Sequence, residues 1–479
     1  MFDSAQLAVQ GALDAGASYA DARFVISRSE TIDVQDQNLT QLDHSEQAGI
    51  GVRALIGSSW GFAATADMSH EAVREVGERA AAIAEASALV PGPPMEFADV
   101  PVHDTSWSTP VSEDPFEVPL SEKVDMLIAV TKTLQSVEGV GVATGSLAFW
   151  DTEKWFISSN GHRIHQHLVE SGGGFSATAI GENETQIRSY PQSFGQFETG
   201  GYETVRAWDY EANALRIAEE AVALLSADEM EERETSLILE GSQLALQIHE
   251  SVGHAIELDR ILGWEAAFAG TSHLDLQKLG THRYGSELMN ITADATLPGA
   301  LGTFGYDDEG TPAQSVDIVD EGRWVGVLSG RDSAAIAGLP PGGMVRGDGF
   351  NRLPMVRMTN VGLLPGTGTL EEIIADTDEG VYMSTNRSWS IDDRRLNFQF
   401  GTEIAWEIKN GKIGRMLKNP TYTGITPQFW GSLDRLAGES EQVHWGTPNC
   451  GKGQPEQVAH TGHSASPGRF ANVRVGVKG

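Results

Sequence analysis

An α+β fold is expected from this sequence, with an N-terminal α/β domain over residues 1–228 and a mainly antiparallel, barrel-like β domain over residues 229–479. Three observations predict it. In the first half, helical periodicity alternates with short β-rich runs and a hairpin, without a repeated βαβ unit. Between residues 226 and 234 apolar periodicity stops and charge concentrates in SADEMEERE, as expected at a domain boundary. From about residue 284 onward the chain is rich in Gly, Pro and short β-prone runs such as SVDIVDEGRWVGVL and FQFGTEIAWEIKNGKIGRML, a pattern suited to a barrel or sandwich.

The elements follow in order. Leu7, Val9 and Leu13 with small residues between them predict a helix over 4–15, and β-rich runs follow at 20–26, 31–34 and 49–56. Helices are expected over 69–86 and over 121–134, the latter with Val124, Leu127, Ile128 and Leu134 on one face. KWFISSNGHRIHQHLV reads as a hairpin turning on Asn160-Gly161 through a two-residue type I′ turn. A helix over 210–225 closes the first half. The second half opens with a strand over 236–239 and a helix over 242–262, and Asn410-Gly411 predicts another hairpin over 407–413.

Composition excludes several function classes. Sixty-seven acidic against 33 basic residues give a net charge of −34, which repels the phosphates a nucleic-acid binder must neutralise. No apolar run approaches the roughly 20 residues of a membrane helix, and the N-terminus lacks the basic start of a secretory signal. A cytoplasmic protein with neither nucleic acid nor membrane as partner is therefore expected. A single cysteine excludes an internal disulfide and fits a reducing compartment.

Six residues of the 242–262 helix, HESVGH, invite a chemical reading. In H-E-x-x-H the two imidazoles stand four residues apart on a helix and share a metal, while the adjacent Glu serves as base. Here His249 and His254 are five apart. At about 100° per residue, five steps separate side chains by roughly 140° on an ideal α-helix, against about 40° for four. Gly253 is a poor helix former that permits a kink, a wider π turn or an early end, and a π turn would bring the two histidines together. The bland alternative is a helix with one solvated and one hydrogen-bonded histidine.

The lone thiol weighs against that alternative. Cys450 sits in GTPNCGKGQP, a Gly-, Pro- and Asn-rich stretch that reads as a loop, with Lys452 two residues away as a candidate partner for a thiolate. His249, His254 and Cys450 would give one zinc per chain three protein ligands and an open fourth position, as in catalytic sites, with Glu250 as general base. Competing arrangements are a structural zinc among His444, Cys450, His460 and His463, and a Cys-His hydrolase built on Cys450. His162, His165 and His167 read as incidental exposed histidines. LPPGGMVRGDG and LLPGTGTL read as turns, and no G-x-S-x-G elbow or P-loop is present.

With these residues in hand, the sequence resembles the TldD/PmbA family of metallopeptidases, on its TldD, metal-motif-bearing side. HESVGHAIELD, GYDDEGTPAQ, RMTNVGLLPGTGTLEEII, IKNGKIGRMLKNPTYTG and NCGKGQP carry the resemblance in order across most of residues 240–455. Ser251 and Ala255 stand where the family often has other small residues. The resemblance implies zinc held by His249, His254 and Cys450, with Glu250 as base. It also implies short, unfolded or leader peptide substrates bound as an added strand in an enclosed cavity. A homodimer, or a heterodimer with a related subunit lacking the metal motif, would form that cavity. The alternative is a non-catalytic peptide-binding subunit, or a regulator of a partner protein, with a structural metal.

Overall fold

The computed structural model describes residues 1–90, 97–268, 270–453 and 456–477, so Gln454 and Pro455 of the NCGKGQP stretch lie outside the described residues. The first half is one eight-stranded sheet with helices against it. Its strands are β1 (Tyr19–Gln35), β2 (Asn38–Ile56), β3 (Ser59–Thr65), β4 (Asp104–Ser108), β5 (Val140–Ser158), β6 (Arg163–Ile180), β7 (Thr185–Tyr190) and β8 (Gln196–Thr199). They lie in the order β3-β2-β1-β5-β6-β4, with β7 and β8 also paired to β6. The helices α1 (Phe2–Asp14) and α2 (His70–Ser87) bury Ala5, Ala8, Val9, Val73, Val76 and Ala80 against one end of this sheet. At the other end α3 (Leu120–Gln135) and α5 (Tyr210–Ser226), with the short α4 (Glu203–Ala207) before it, pack around Leu127, Leu134, Ile217 and Ala221.

Three local expectations change here. The runs at 20–26 and 31–34 are one continuous strand, because the polar residues between them pair in register with both β2 and β5, for example Arg28 with Glu46 and with Asp151. The 49–56 run likewise belongs to the longer β2. The β5–β6 hairpin exists, but only Gly161 has positive φ, so its turn is not type I′. Ser158 accepts from the Gly161 N–H and donates to the His162 carbonyl, which makes a longer turn with a left-handed glycine.

The second half contains the barrel. After β9 (Asp228–Glu229) come β10 (Arg233–Leu239), α6 (Gly241–Ile248), a π turn (His249–Gly253) and α7 (Leu258–Ile261). A small four-stranded sheet is formed by β11 (Ile291–Asp294), β12 (Ser315–Asp320), β13 (Arg323–Trp324) and β16 (Val361–Leu363). Before β16 stand α8 (Arg331–Ala337) and the pair β14 (Val345–Arg346) and β15 (Met355–Val356). Following α9 (Leu370–Ala375) are β17 (Glu379–Ile391), β18 (Asn397–Lys409), β19 (Lys412–Lys418), β20 (Thr421–Ile425), α10 (Thr426–Gly431) and β21 (Leu433–Leu436). The chain ends in β22 (Val443–Lys452), β23 (Gln457–Ala465) and β24 (Gly468–Val475). Strands β17-β10-β24-β20-β18 pair in sequence, and β18 returns to β17 to close the barrel. The barrel-like expectation holds, with two parallel pairings, β10 with β17 and β9 with β19, among antiparallel neighbours. The Asn410-Gly411 hairpin is type I′, both residues having positive φ.

A buried ionic seam joins the two halves. GYDDEGTPAQ places Asp308 and Glu309 inside the protein, where Arg23 and Lys154 meet Asp308 at 2.9 and 2.5 Å. Arg53 meets Glu309 at 2.9 Å and Asp21 at 2.6 Å. These charges reach the interior because each finds an opposite partner there.

Candidate metal centre

Every residue from Gly241 to Gly253 is buried, so α6 enters the core bearing HESVGH. Glu240 caps its start by accepting from the Ser242 N–H at 2.9 Å. At His249 the helix widens, and the His254 N–H donates to the His249 carbonyl, five residues back. The predicted continuous helix over 242–262 is therefore broken into α6, a π turn and α7. Tertiary contacts hold the wide turn open. The Tyr284 hydroxyl donates to the Ser251 carbonyl at 2.6 Å, and Trp430 Nε1 donates to Ser251 Oγ at 2.9 Å. Gly253 is closely packed, since a Cβ there would lie 2.1 Å from Met358 Sδ and that side chain would have to shift.

The π turn answers the five-residue spacing. The His249 and His254 rings stand 4.9 Å apart, centroid to centroid and nearly perpendicular. Cys450 Sγ approaches His254 Nε2 at 3.7 Å. The candidate ligand atoms of His249, His254 and Cys450 all lie within 4.8 Å of one another, and all three residues are buried. Two atoms bound to one tetrahedral zinc, with Zn–S about 2.3 Å and Zn–N about 2.05 Å, would be about 3.6 Å apart. The donor set thus fits a metal ion by type and spacing.

The surroundings decide which nitrogen of each ring is available. His463 Nδ1 donates to the Val361 carbonyl at 2.9 Å, which leaves its Nε2 as an acceptor for His249 Nδ1–H at 2.7 Å. The lone pair of His249 therefore sits on Nε2. His254 Nδ1 bonds Glu257 at 3.0 Å, so its Nε2 faces Cys450. Burial pushes all three imidazoles below the ordinary histidine value, His254 and His463 well below it, and keeps them neutral. Burial also opposes ionisation of the Cys450 thiol, but the neighbouring positive charge, that of Arg357 included, outweighs it and brings the thiol below its ordinary value.

Cys450 is not in a loop. It lies on β22, paired with Ala459 of β23 beside a bulge between Thr447 and Cys450 that accommodates the Pro-Asn segment. Lys452 does not face the thiol either. Fully buried, it meets Asp259 at 2.8 Å and Glu257 at 3.3 Å, and so clasps β22 to the segment that carries His254. Arg357 ties the same hairpin across its strands, donating to the Cys450 and Gln457 carbonyls.

The competing histidines separate. His444 bonds Ser464, His460 bonds Glu170, and only His463 comes near, as a partner of His249. His165 and His167 are half-exposed beside Glu153 and Asp151. His162, expected at the surface, is buried against Phe156 and His103 as part of the seam, and burial lowers it to about 4. A cavity of about 380 Å³ opens on the centre, walled by Phe194, Leu246, Trp389, Ile391, Arg395 and Asn449. Glu250 lines it and pairs with Arg395. No local pattern marks His463 or Arg395 as neighbours of the site, whereas Glu257 follows His254 by three residues, the interval of neighbours on one helix face.

Models of the PmbA/TldA metallopeptidase domain 1, central domain and C-terminal domain match residues 20–84, 113–227 and 232–473. The chain belongs to the PmbA/TldD metallopeptidase family. It is 29% identical over 459 residues to a metalloprotease of Methanothermobacter thermautotrophicus, covering 96% of this chain and 95% of that one. Among solved structures, a Thermotoga maritima protein put forward as a modulator of DNA gyrase shares the fold with a TM-score of 0.77 at 18% identity, covering 99% of both chains. TldE from Thermococcus kodakarensis shares it with a TM-score of 0.70 at 17% identity, over 98% of this chain and 99% of that one. No helix among the described residues is long and apolar enough to cross a membrane.

Proposed function

We propose that this chain is a zinc-dependent peptidase acting on short or unfolded peptides, including leader segments, inside an enclosed cavity. The observation that carries the reading is Glu250 sharing one cavity with the His249, His254 and Cys450 donors. Two imidazole nitrogens and one thiolate suit zinc and leave a fourth position open to the cavity. When bound, zinc would supply Lewis-acid polarisation of a carbonyl and a more acidic water.

The chain's own residues do the rest. His463 and Glu257 hold His249 and His254 with Nε2 forward. Glu250 takes the proton of the attacking water and returns it to the leaving amine. Among the described residues strand β22 pairs with β23 alone, and Thr447, Asn449 and Gly451 line the cavity, so an extended peptide can add along its other edge. Main-chain bonding of that kind gives affinity with little side-chain preference. We further propose a cytoplasmic protein, organised as units 1–228 and 229–479. It would work as a homodimer or with a family subunit lacking the metal motif, and the likeness to TldE supports a pairing of that kind.

The test is Glu250→Ala on metal-loaded protein. Retained fold and zinc with peptide cleavage reduced by about 10²-fold or more is expected for loss of a general base. Full retained activity overturns the role of Glu250. Zinc without hydrolysis by the wild type, across varied unstructured peptides, would favour a peptide-binding subunit with a structural metal.

A further inference from the structure

Arg395 occupies a position that its backbone does not favour. It lies in the turn between β17 and β18 with φ of 60°, in the left-handed region where glycine or asparagine is at ease and an arginine is strained. The turn is held from several sides. The Arg395 N–H donates to the Asp392 carbonyl at 2.9 Å, and Thr426 Oγ1 donates to the Arg395 carbonyl at 2.8 Å. The His273 N–H donates to the Arg394 carbonyl at 2.9 Å, and Arg260 reaches the Asp393 carbonyl at 3.3 Å. These contacts use backbone groups of the turn and require no arginine side chain.

The guanidinium does something else. Among the described residues its hydrogen-bond partner is Glu250, while its Nε is buried and unpartnered. Among the described residues Glu250 in turn is bonded through Oε2, and it lies on the wall of the metal cavity. A buried carboxylate one residue from His249 has two ways to satisfy its charge there. It can bind a cation in the cavity directly, or it can be held back by a fixed positive group.

We propose that Arg395 is a positioning residue that holds Glu250 off the metal, so that this carboxylate serves as a base and not as a fourth protein ligand. The inference deepens the peptidase reading and rests on it for its catalytic consequence, but its effect on metal binding is independent of any hydrolysis. The turn is placed to deliver that charge: β17 and β18 close the barrel beside the cavity, and Trp389 and Ile391 of β17 line it.

The experiment compares wild type, Arg395→Gly, Arg395→Lys and Arg395→Gly/Glu250→Gln. Glycine suits the left-handed backbone, and zinc would replace Arg395 as the partner of Glu250, so the zinc-loaded chain is expected to keep a thermal midpoint near that of the wild type. Zinc affinity is read by competition with a chromophoric chelator, and the visible absorption of the cobalt(II)-loaded chains reports the ligand set. Arg395→Gly is expected to bind zinc about tenfold or more tightly as Glu250 joins the site, and the double variant to return to the wild-type affinity and spectrum. Peptide kcat should fall about 10²-fold with a smaller change in KM, and Arg395→Lys should recover part of it. Equal zinc affinity and identical cobalt spectra in wild type and Arg395→Gly overturn the proposal, whatever the activities. A wild type that cleaves no peptide while the metal-binding pattern holds would instead overturn the peptidase reading alone.

Discussion

Replacing His463 by Phe should weaken metal binding without touching any candidate ligand. Phe fills a similar volume but removes both the acceptor for His249 Nδ1–H and the donor to the Val361 carbonyl. Both lost partners are buried, and each buried polar group left unsatisfied costs about 1–3 kcal/mol. His249 can escape part of its share by moving its proton to Nε2, but that tautomer has no lone pair for the cavity. Metal binding must then reverse the tautomer and restore the unsatisfied Nδ1–H, so the penalty falls on the metal-bound state. A loss of one to two decades in zinc affinity follows, in line with the about 10–100-fold measured for such supporting partners elsewhere. The assay is chelator competition on folded protein, with the thermal midpoint of the metal-free chain recorded alongside. His463→Gln, whose amide oxygen can accept, should recover part of the affinity. Zinc affinity of His463→Phe within about threefold of wild type would refute the assignment of His463 as the tautomer-setting partner.

Other consequences can be checked in parallel. Elemental analysis of wild type beside Cys450→Ala should show near-stoichiometric zinc in the first and a marked loss in the second. Tyr284→Phe leaves the buried Ser251 carbonyl without its hydroxyl donor and should cost about 1–3 kcal/mol by denaturant unfolding, with zinc affinity falling because the π turn loses a support. Asp308 is opposed in its ionisation by burial, but Lys154 and Arg23 more than compensate and hold its carboxyl at about 2, against 3.8 unfolded. A carboxyl depressed on folding contributes stability above its unfolded value and loses it as pH falls through the folded one. The wild type should therefore lose about 2 kcal/mol between pH 4 and pH 2 that Asp308→Asn lacks from the start, as read by urea unfolding across that range.

Much of the architecture was legible without coordinates, for local reasons. Helices α2, α3 and α5 announce themselves by 3.6-residue periodicity and the Asn410-Gly411 turn by its need for positive φ, and both signals are complete within a few residues. Failures were local signals overridden by pairing. The polar centre of β1 reads as a loop until β2 and β5 are placed on either side of it. The Gly-Pro-Asn run around Cys450 reads as a loop until β23 supplies its ladder and a bulge absorbs the irregular residues.

The candidate site divides the same way. His249, Glu250 and His254 were found together because six consecutive residues carry them, and Gly253 marked where the helix could widen. Residue order alone could not decide that it does widen. That depended on Tyr284, Trp430 and Met358, which occupy the space around the turn only after the second half has folded. Cys450 could be nominated as the lone thiol, but its approach to His254 is a contact across 196 residues, made by the buried Lys452 clasp and not by any exposed reactivity. His463 meets His249 across 214 residues and Arg395 meets Glu250 across 145. The sequence by itself determined which side chains could do chemistry and that the chain is α+β, because residue type and short-range period are local properties. Only the tertiary structure decided which of thirteen histidines face one another and which cation guards the carboxylate, because those pairings are set by barrel closure and by the burial of charges that must find partners.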